Sequence, residues 1–166
     1  MIDAVADLAV IALRNAEWEE GVASSIRSAV TAAYAHQHAM RELAAAHDGV
    51  PDSAVDIPES TIDALLLTTC DMPTVGVPHL RALCSAYGAG APRVASRYVT
   101  ADGTDTLGIP AIVGAGEWPV LAELHGDRGA KRLFYEDGTI TVTLTGGNFD
   151  IDRPADVQAL RTLSDS

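Results

Sequence analysis

Residues Ile62-Asp-Ala-Leu-Leu-Leu-Thr-Thr-Cys70 make a short apolar run that stops at Asp71-Met72-Pro73. A run this brief and this continuous reads as a strand buried in a sheet, and the proline disfavours helix at Met72 and turns the chain. Asp71 is thereby placed at the carboxyl end of a strand, where ligands gather in open α/β sheets. The rest of the chain alternates in the same way. Asp7-Leu-Ala-Val-Ile-Ala-Leu13 reads as another buried strand, residues 14–21 as a loop, and the stretch opening at Ser24-Ser25 as a long helix with Ile26, Ala29, Val30, Ala33 and Tyr34 at helical spacing. Residues 76–88 read as a helix, 92–99 as a strand, 100–108 as a polar loop, 118–124 as a short helix, and 139–144 as a strand of alternating β-branched residues. Another helix opens near Asp127 and a last one at Pro154. Strands alternating with helices predict an α/β fold with a mostly parallel, doubly wound sheet. The prolines, glycine and acids of residues 47–60 predict a surface loop.

The length of 166 residues suits a single domain over 1–166. Eleven Lys+Arg against 23 Asp+Glu give a net charge of −12, which repels phosphate backbones and argues against nucleic acid as a partner. A hard cation such as Mg²⁺ is the more natural one. No run of about 18 apolar residues and no basic leader is present, so neither a membrane span nor a signal peptide is expected, and a cytoplasmic location follows. Cys70 and Cys84 fit no zinc spacing and are expected as reduced core thiols.

Three carboxylates fall at predicted strand ends: Asp71, Asp150 and Asp152. Asp150 and Asp152 are two apart, so an extended backbone points both the same way, and a parallel sheet can bring them near Asp71. Mg²⁺ suits such a set, because it takes one or two carboxylates and fills its other sites with water and substrate phosphates. An Asp ahead of Pro154 also serves as a helix cap, and Asp71 also as a turn initiator. Gly126-Asp127-Arg128-Gly129 opens a predicted helix whose free N–H groups suit an anion, or Asp127 simply caps it. Ser24 and Ser25 either cap their helix or offer hydroxyls to a substrate, and Trp18 is a packing anchor or a pocket wall. His36 and His38 lie about 200° apart around a helix and cannot share a metal, so both are expected at the surface. No Gly-x-Ser-x-Gly elbow and no Gly-x4-Gly-Lys-Ser/Thr loop occurs.

Taken in order, five blocks resemble the molybdenum-cofactor nucleotidyltransferases of the MobA-like NTP transferase group. They are Asn15…Trp18-Glu-Glu-Gly21…Ser24-Ser25-Ile26, then Leu-Leu-Leu-Thr-Thr-Cys-Asp71-Met-Pro73, then Gly108-Ile-Pro110, then Gly126-Asp-Arg-Gly-Ala130, then Gly146-Gly147 with Asp150-Ile-Asp152-Arg-Pro154. The resemblance implies a Rossmann-like sheet of the nucleotide-diphospho-sugar transferase type. It implies Asp71 and Asp150 as the catalytic carboxylates, with Asp71, Asp150 and Asp152 as Mg²⁺ ligands. It also implies that Asn15, Trp18, Gly21, Ser24, Ser25, Gly126, Asp127 and Gly129 face the pterin-bearing substrate.

Members of the group begin with a strand and a glycine-rich loop carrying an arginine and a lysine that hold the triphosphate. This chain has a single lysine, Lys131, inside another block, so the sequence reads as the C-terminal two-thirds of the family domain, N-terminally truncated, with extra length at 47–60. The implied reaction is transfer of CMP or GMP from CTP or GTP to molybdopterin, weak or absent in the isolated chain, with a molybdoenzyme as the receiving partner. The alternative is a non-catalytic module of the same fold that binds a pterin cofactor or a partner protein. On either reading an uncovered sheet edge is expected to drive dimerisation.

Overall fold

The computed structural model describes residues 10–47, 62–100, 102–127, 129–145, 150, 151, 153, 156–158 and 160. The chain divides into two compact units: Met1–Ile62 with Pro119–Gly129, and Asp63–Trp118 with Ala130–Ser166.

The second unit is built on a four-stranded sheet of β1 (Ala64–Leu67), β2 (Arg93–Val99), β3 (Asp105–Gly114) and β4 (Thr139–Thr143), in the order β1-β3-β2-β4. Among the described residues only β2 and β4 pair in parallel; β3 runs antiparallel to both of its neighbours. The mostly parallel sheet expected from the sequence is thus corrected to a mixed sheet in which two of the three pairings are antiparallel. The strand responsible, β3, falls where the sequence reads as a loop running on towards a short helix. Its residues Gly108 and Pro110 are breakers in an ordinary strand. Here the register slips between the pair Ala95 and Ala111 and the pair Ser96 and Gly108, so Ile109 and Pro110 are the extra residues of a bulge. A bulge residue needs no ladder N–H, which is what lets proline sit in the middle strand.

Helix α2 (Val77–Gly88) has Pro78 in its first turn, where the missing N–H is not needed. Leu83 of α2 meets Val94 and Ile112 of the sheet and Ala91, with Ala64, Leu80, Ala86, Tyr87 and Val142 packed around them. Burying side chains of this size contributes about 1.5–3 kcal/mol each. Ala95, Ala111 and Val113, which alternate with that set, are also buried, and a 3-10 turn at Ala130–Tyr135 carrying buried Leu133 and Phe134 packs on β3 and β2. Arg93 is buried beside this turn: its guanidinium meets Glu117 at 2.8 Å and donates to the Asp137 carbonyl at 2.6 Å, tying the first residue of β2 to the approach to β4.

In the first unit α1 (Val22–His47) follows a 3-10 turn at Trp18–Glu20 and buries Ala23, Val30 and Ala33, and Leu121 is buried as well. Residues 10–15 carry no strand, and Val10, Ile11 and Leu13 are exposed, which corrects the expected strand at its described end; residues 1–9 lie outside the description. An apolar run becomes a strand only where neighbours complete its ladder. The 48–60 part of the expected loop also lies outside the described residues, and residue 47 ends α1. Cys70 and Cys84 are free but exposed, so they are not core thiols: the one follows β1 in an open turn, the other lies next to Leu83 on the outer side of α2. His36 and His38 are exposed as expected. Among the described residues no helix is long and apolar enough to cross a membrane.

Candidate functional site

In the second unit, β3 is antiparallel to both β1 and β2 and β4 is parallel to β2, so β1, β2 and β4 all end at one edge of the sheet. Asp71 follows β1 and Asp150 follows β4, the two outermost strands. Three strand spacings separate them, about 14 Å, which the residues between β4 and Asp150 span easily. The chain completes that crossing: the Leu144 amide donates to the Arg97 carbonyl at the end of β2 (2.9 Å), and the Ile151 amide donates to the Asp71 carbonyl (2.9 Å). Asp71 and the Asp150-Ile151 segment are therefore brought together. Asp152, Gly146 and Gly147 lie outside the described residues.

Among the described residues, Asp71 Oδ1 is the one buried side-chain oxygen or nitrogen with no hydrogen-bond partner. A carboxylate oxygen out of water and without a donor is costly in a folded protein and calls for a cation or an ordered water. That chemistry fits a hard divalent ion, which needs only one or two protein carboxylates. The described residues hold no group of three or more His, Cys, Asp or Glu that would make a complete protein cage.

Two further groups at this edge were not legible in the sequence. Tyr98 is pushed above the ordinary phenol range, first by burial and then by the charges of Asp150 and Tyr135. Gly108 makes room for it, since a Cβ there would lie 2.6 Å from the Tyr98 hydroxyl. His79, in the first turn of α2, holds Ser96 Oγ at 2.8 Å, and Ser96 in turn donates to the Pro110 carbonyl at the bulge. Burial holds the His79 imidazole below its ordinary range. Tyr135 Oη accepts from the Leu107 amide at 2.9 Å and lines an open cleft of about 270 Å³ with Arg97, Asp105, Thr106, Leu107 and Thr141.

The first unit joins two sequence blocks that are far apart along the chain. Asn15 Nδ2 donates to Ser24 Oγ (2.7 Å) and Ser25 Oγ (3.0 Å), while Asn15 Oδ1 accepts from the Glu17 amide (2.9 Å). Ser24 is buried and donates to the Gly21 carbonyl at 2.7 Å, so its hydroxyl is spent inside the turn; Ser25 is exposed. Gly21 has φ +113 and lies against the 126–127 loop: a Cβ there would sit 2.2 Å from Asp127 Oδ1 and 2.8 Å from the Gly126 carbonyl carbon. Glycine is required twice over, by conformation and by contact. The Ala23 amide donates to the Gly126 carbonyl (3.1 Å), and a Cβ on Gly129 would meet Val22 at 3.3 Å. Trp18 stands 68% exposed at the rim of this turn, so it is no packing anchor here.

The profile of the MobA-like NTP transferase domain matches residues 2–140. The chain belongs to this family. Among solved structures, the MobA-like chain is similar to Rv0371c from Mycobacterium tuberculosis H37Rv, at 20% identity over 96% of this chain and 70% of that one with a TM-score of 0.57, a likeness of fold. It is also similar to the Rv0371c homolog from Mycobacterium sp. strain JC1, at 28% identity and a TM-score of 0.50 over 62% of this chain. The match spans 50% of the length of that homolog. The chain has no significant match among curated proteins.

Proposed function

We propose that this MobA-like chain takes part in Mg²⁺-dependent nucleotidyl transfer, moving CMP or GMP from CTP or GTP to molybdopterin. The observation that carries the reading is the buried, unpartnered Asp71 Oδ1 at the edge where the Asp150-Ile151 segment is hydrogen-bonded to the Asp71 backbone. Asp71 is the principal metal ligand on this reading, with Asp150 second and Asp152 supporting. A magnesium ion bound by these carboxylates would supply positive charge to offset that of the nucleotide phosphates. The residues of the chain align the reactants: a substrate phosphate is already a nucleophile, so no general base is needed, and in-line geometry supplies the rate. Asn15, Ser25 and Asp127, with Gly21, Gly126 and Gly129 shaping the turn and Ser24 bracing it, face the pterin acceptor, and Trp18 offers an exposed ring for its planar rings. The specificity for a molybdenum-cofactor precursor rests on the five sequence blocks.

A second reading is a non-catalytic module of the same fold that binds a pterin cofactor or a partner protein. Titration of molybdopterin into the chain with and without Mg-CTP or Mg-GTP, followed by assay of pyrophosphate release, tests both. Pyrophosphate release establishes transfer; pterin binding alone establishes the module; neither contradicts both readings.

A further inference from the structure

The loop formed by Leu124, His125, Gly126 and Asp127 is held against the Gly21 turn by more than the backbone. Arg27, on the first turns of α1, donates from Nη1 to the Leu124 carbonyl (2.7 Å) and to Glu20 Oε1 (2.8 Å), and its Nη2 meets Glu17 Oε2 (3.0 Å) and Glu20 Oε2. Glu20 Oε1 accepts in addition from the Gly126 amide (3.2 Å) and lies 3.5 Å from His125 Nδ1. One carboxylate thus receives a planar guanidinium fork on one side and a loop N–H on the other. The same guanidinium reaches past it to a loop carbonyl. Bidentate, charge-assisted contacts of this kind fix geometry as well as adding attraction, and a lysine cannot reproduce them.

We propose that Glu20 and Arg27 are positioning residues that latch the 124–127 loop onto the Gly21 turn and so set where Asp127 stands against Gly21. The inference deepens the nucleotidyltransferase reading and rests on it for one point, that this turn is the acceptor side. Neither residue touches the acceptor. Both act through the loop. Arg27 is mostly buried at 19% side-chain exposure and Glu20 partly so at 34%, and the guanidinium together with the Gly126 amide holds the Glu20 carboxyl down to about 2. Glu20 is therefore ionised, and able to accept from both Arg27 and the Gly126 amide, across the whole neutral range.

The test is amide hydrogen exchange on the full chain, read at Gly126 and Ala23, whose N–H groups bond across the latch, with Val94 and Ile112 in the sheet as internal references. Arg27→Ala and the gentler Arg27→Lys should both speed exchange at Gly126 and Ala23, the alanine variant on the order of tenfold, without moving Val94 or Ile112. The charge-swapped pair Glu20→Arg with Arg27→Glu should fail to restore protection, because an arginine at 20 cannot accept the Gly126 N–H and a glutamate at 27 cannot donate to the Leu124 carbonyl. Unchanged exchange in both single variants, or full recovery in the swapped pair, overturns the latch. If the unmodified chain turns over, Arg27→Lys should raise KM for molybdopterin with KM for the nucleotide unmoved, and a change in nucleotide KM alone overturns the positioning role. An unmodified chain that never releases pyrophosphate contradicts the proposed activity, and exchange at Gly126 still decides the latch.

Discussion

The amide of Ile151 donates to the carbonyl of Asp71 at 2.9 Å, so the segment beyond the last strand is pinned to the turn beyond the first strand of the sheet. This bond brings Asp150 to the strand-end edge that carries Asp71. The side chain of Asp71 meanwhile has a buried oxygen with nothing to bond. Removing that oxygen should cost no stability in metal-free buffer. Asp71→Ala is expected to melt at or above the temperature of the unmodified chain, because an orphaned buried carboxylate oxygen opposes folding. Mg²⁺ at a hundred times its Kd should add about 2.7 kcal/mol to the unmodified chain and nothing to the variant. Calorimetry with and without Mg²⁺ checks both, and a metal-free loss above about 1 kcal/mol in the variant would show that Asp71 is structural.

Gly21→Ala forces a Cβ into Asp127 and into the Gly126 backbone at a φ of +113. The loop must move or the turn must refold, at about 1–3 kcal/mol. Urea denaturation measures the cost. Amide exchange at Gly126 shows whether the loop has come away, whereas Gly116→Ala, which meets nothing within 4 Å, should leave both unchanged.

Two arginines of β2 should behave oppositely. Arg93 is 4% exposed and holds Glu117 and the Asp137 carbonyl, so Arg93→Ala strands a carboxylate and a carbonyl and should cost about 2–4 kcal/mol. Arg97 pairs with Asp105 in water, and Arg97→Ala should leave the melting temperature nearly where it was. Equal losses in the two variants would refute the contrast.

His79 supplies a pH dependence with a defined sign. Its folded pKa lies below the ordinary 6.5 because burial disfavours the imidazolium. The unfolded chain therefore binds a proton before the folded one does. Stability is fully present above 6.5 and declines as the pH falls below it, until the folded-state pKa is reached. His79→Gln should flatten the urea midpoint across that window while keeping a donor for Ser96. A midpoint profile identical to that of the unmodified chain would remove His79 as the cause.

Much of this organisation was readable from residue order. The helix at 76–88 is found at Val77–Gly88, and the strand at 92–99 at Arg93–Val99, because their apolar spacing matches what packs between α2 and the sheet. The Asp-x-Pro turn put Asp71 beyond a strand, and Asp150 was expected near it from a parallel sheet, whereas a mixed sheet whose strands β1, β2 and β4 end together is what allows the approach. Strand β3 was hidden because Gly108 and Pro110 are breakers whose acceptance depends on a bulge opposite Ala95 and Ser96, a tertiary fact. The first apolar run misled at its described end, residues 10–13, for the reverse reason: composition makes a strand eligible, and only a neighbour makes it one. In the first unit residues 14–21 read as a loop ahead of the helix opening at Ser24-Ser25, but the Glu20 and Arg27 latch needs the 124–127 loop to be present. The one local signal for it was an arginine, Arg27, about two helical turns beyond the acids Glu17, Glu19 and Glu20.

Isothermal titration of CTP and of GTP, with and without Mg²⁺, into the unmodified chain and into Asp71→Ala tests the role of Asp71 directly. Nucleotide binding that requires both Mg²⁺ and the Asp71 carboxylate is the result expected here. Nucleotide binding indifferent to Asp71, or no nucleotide binding at all, would contradict the metal assignment.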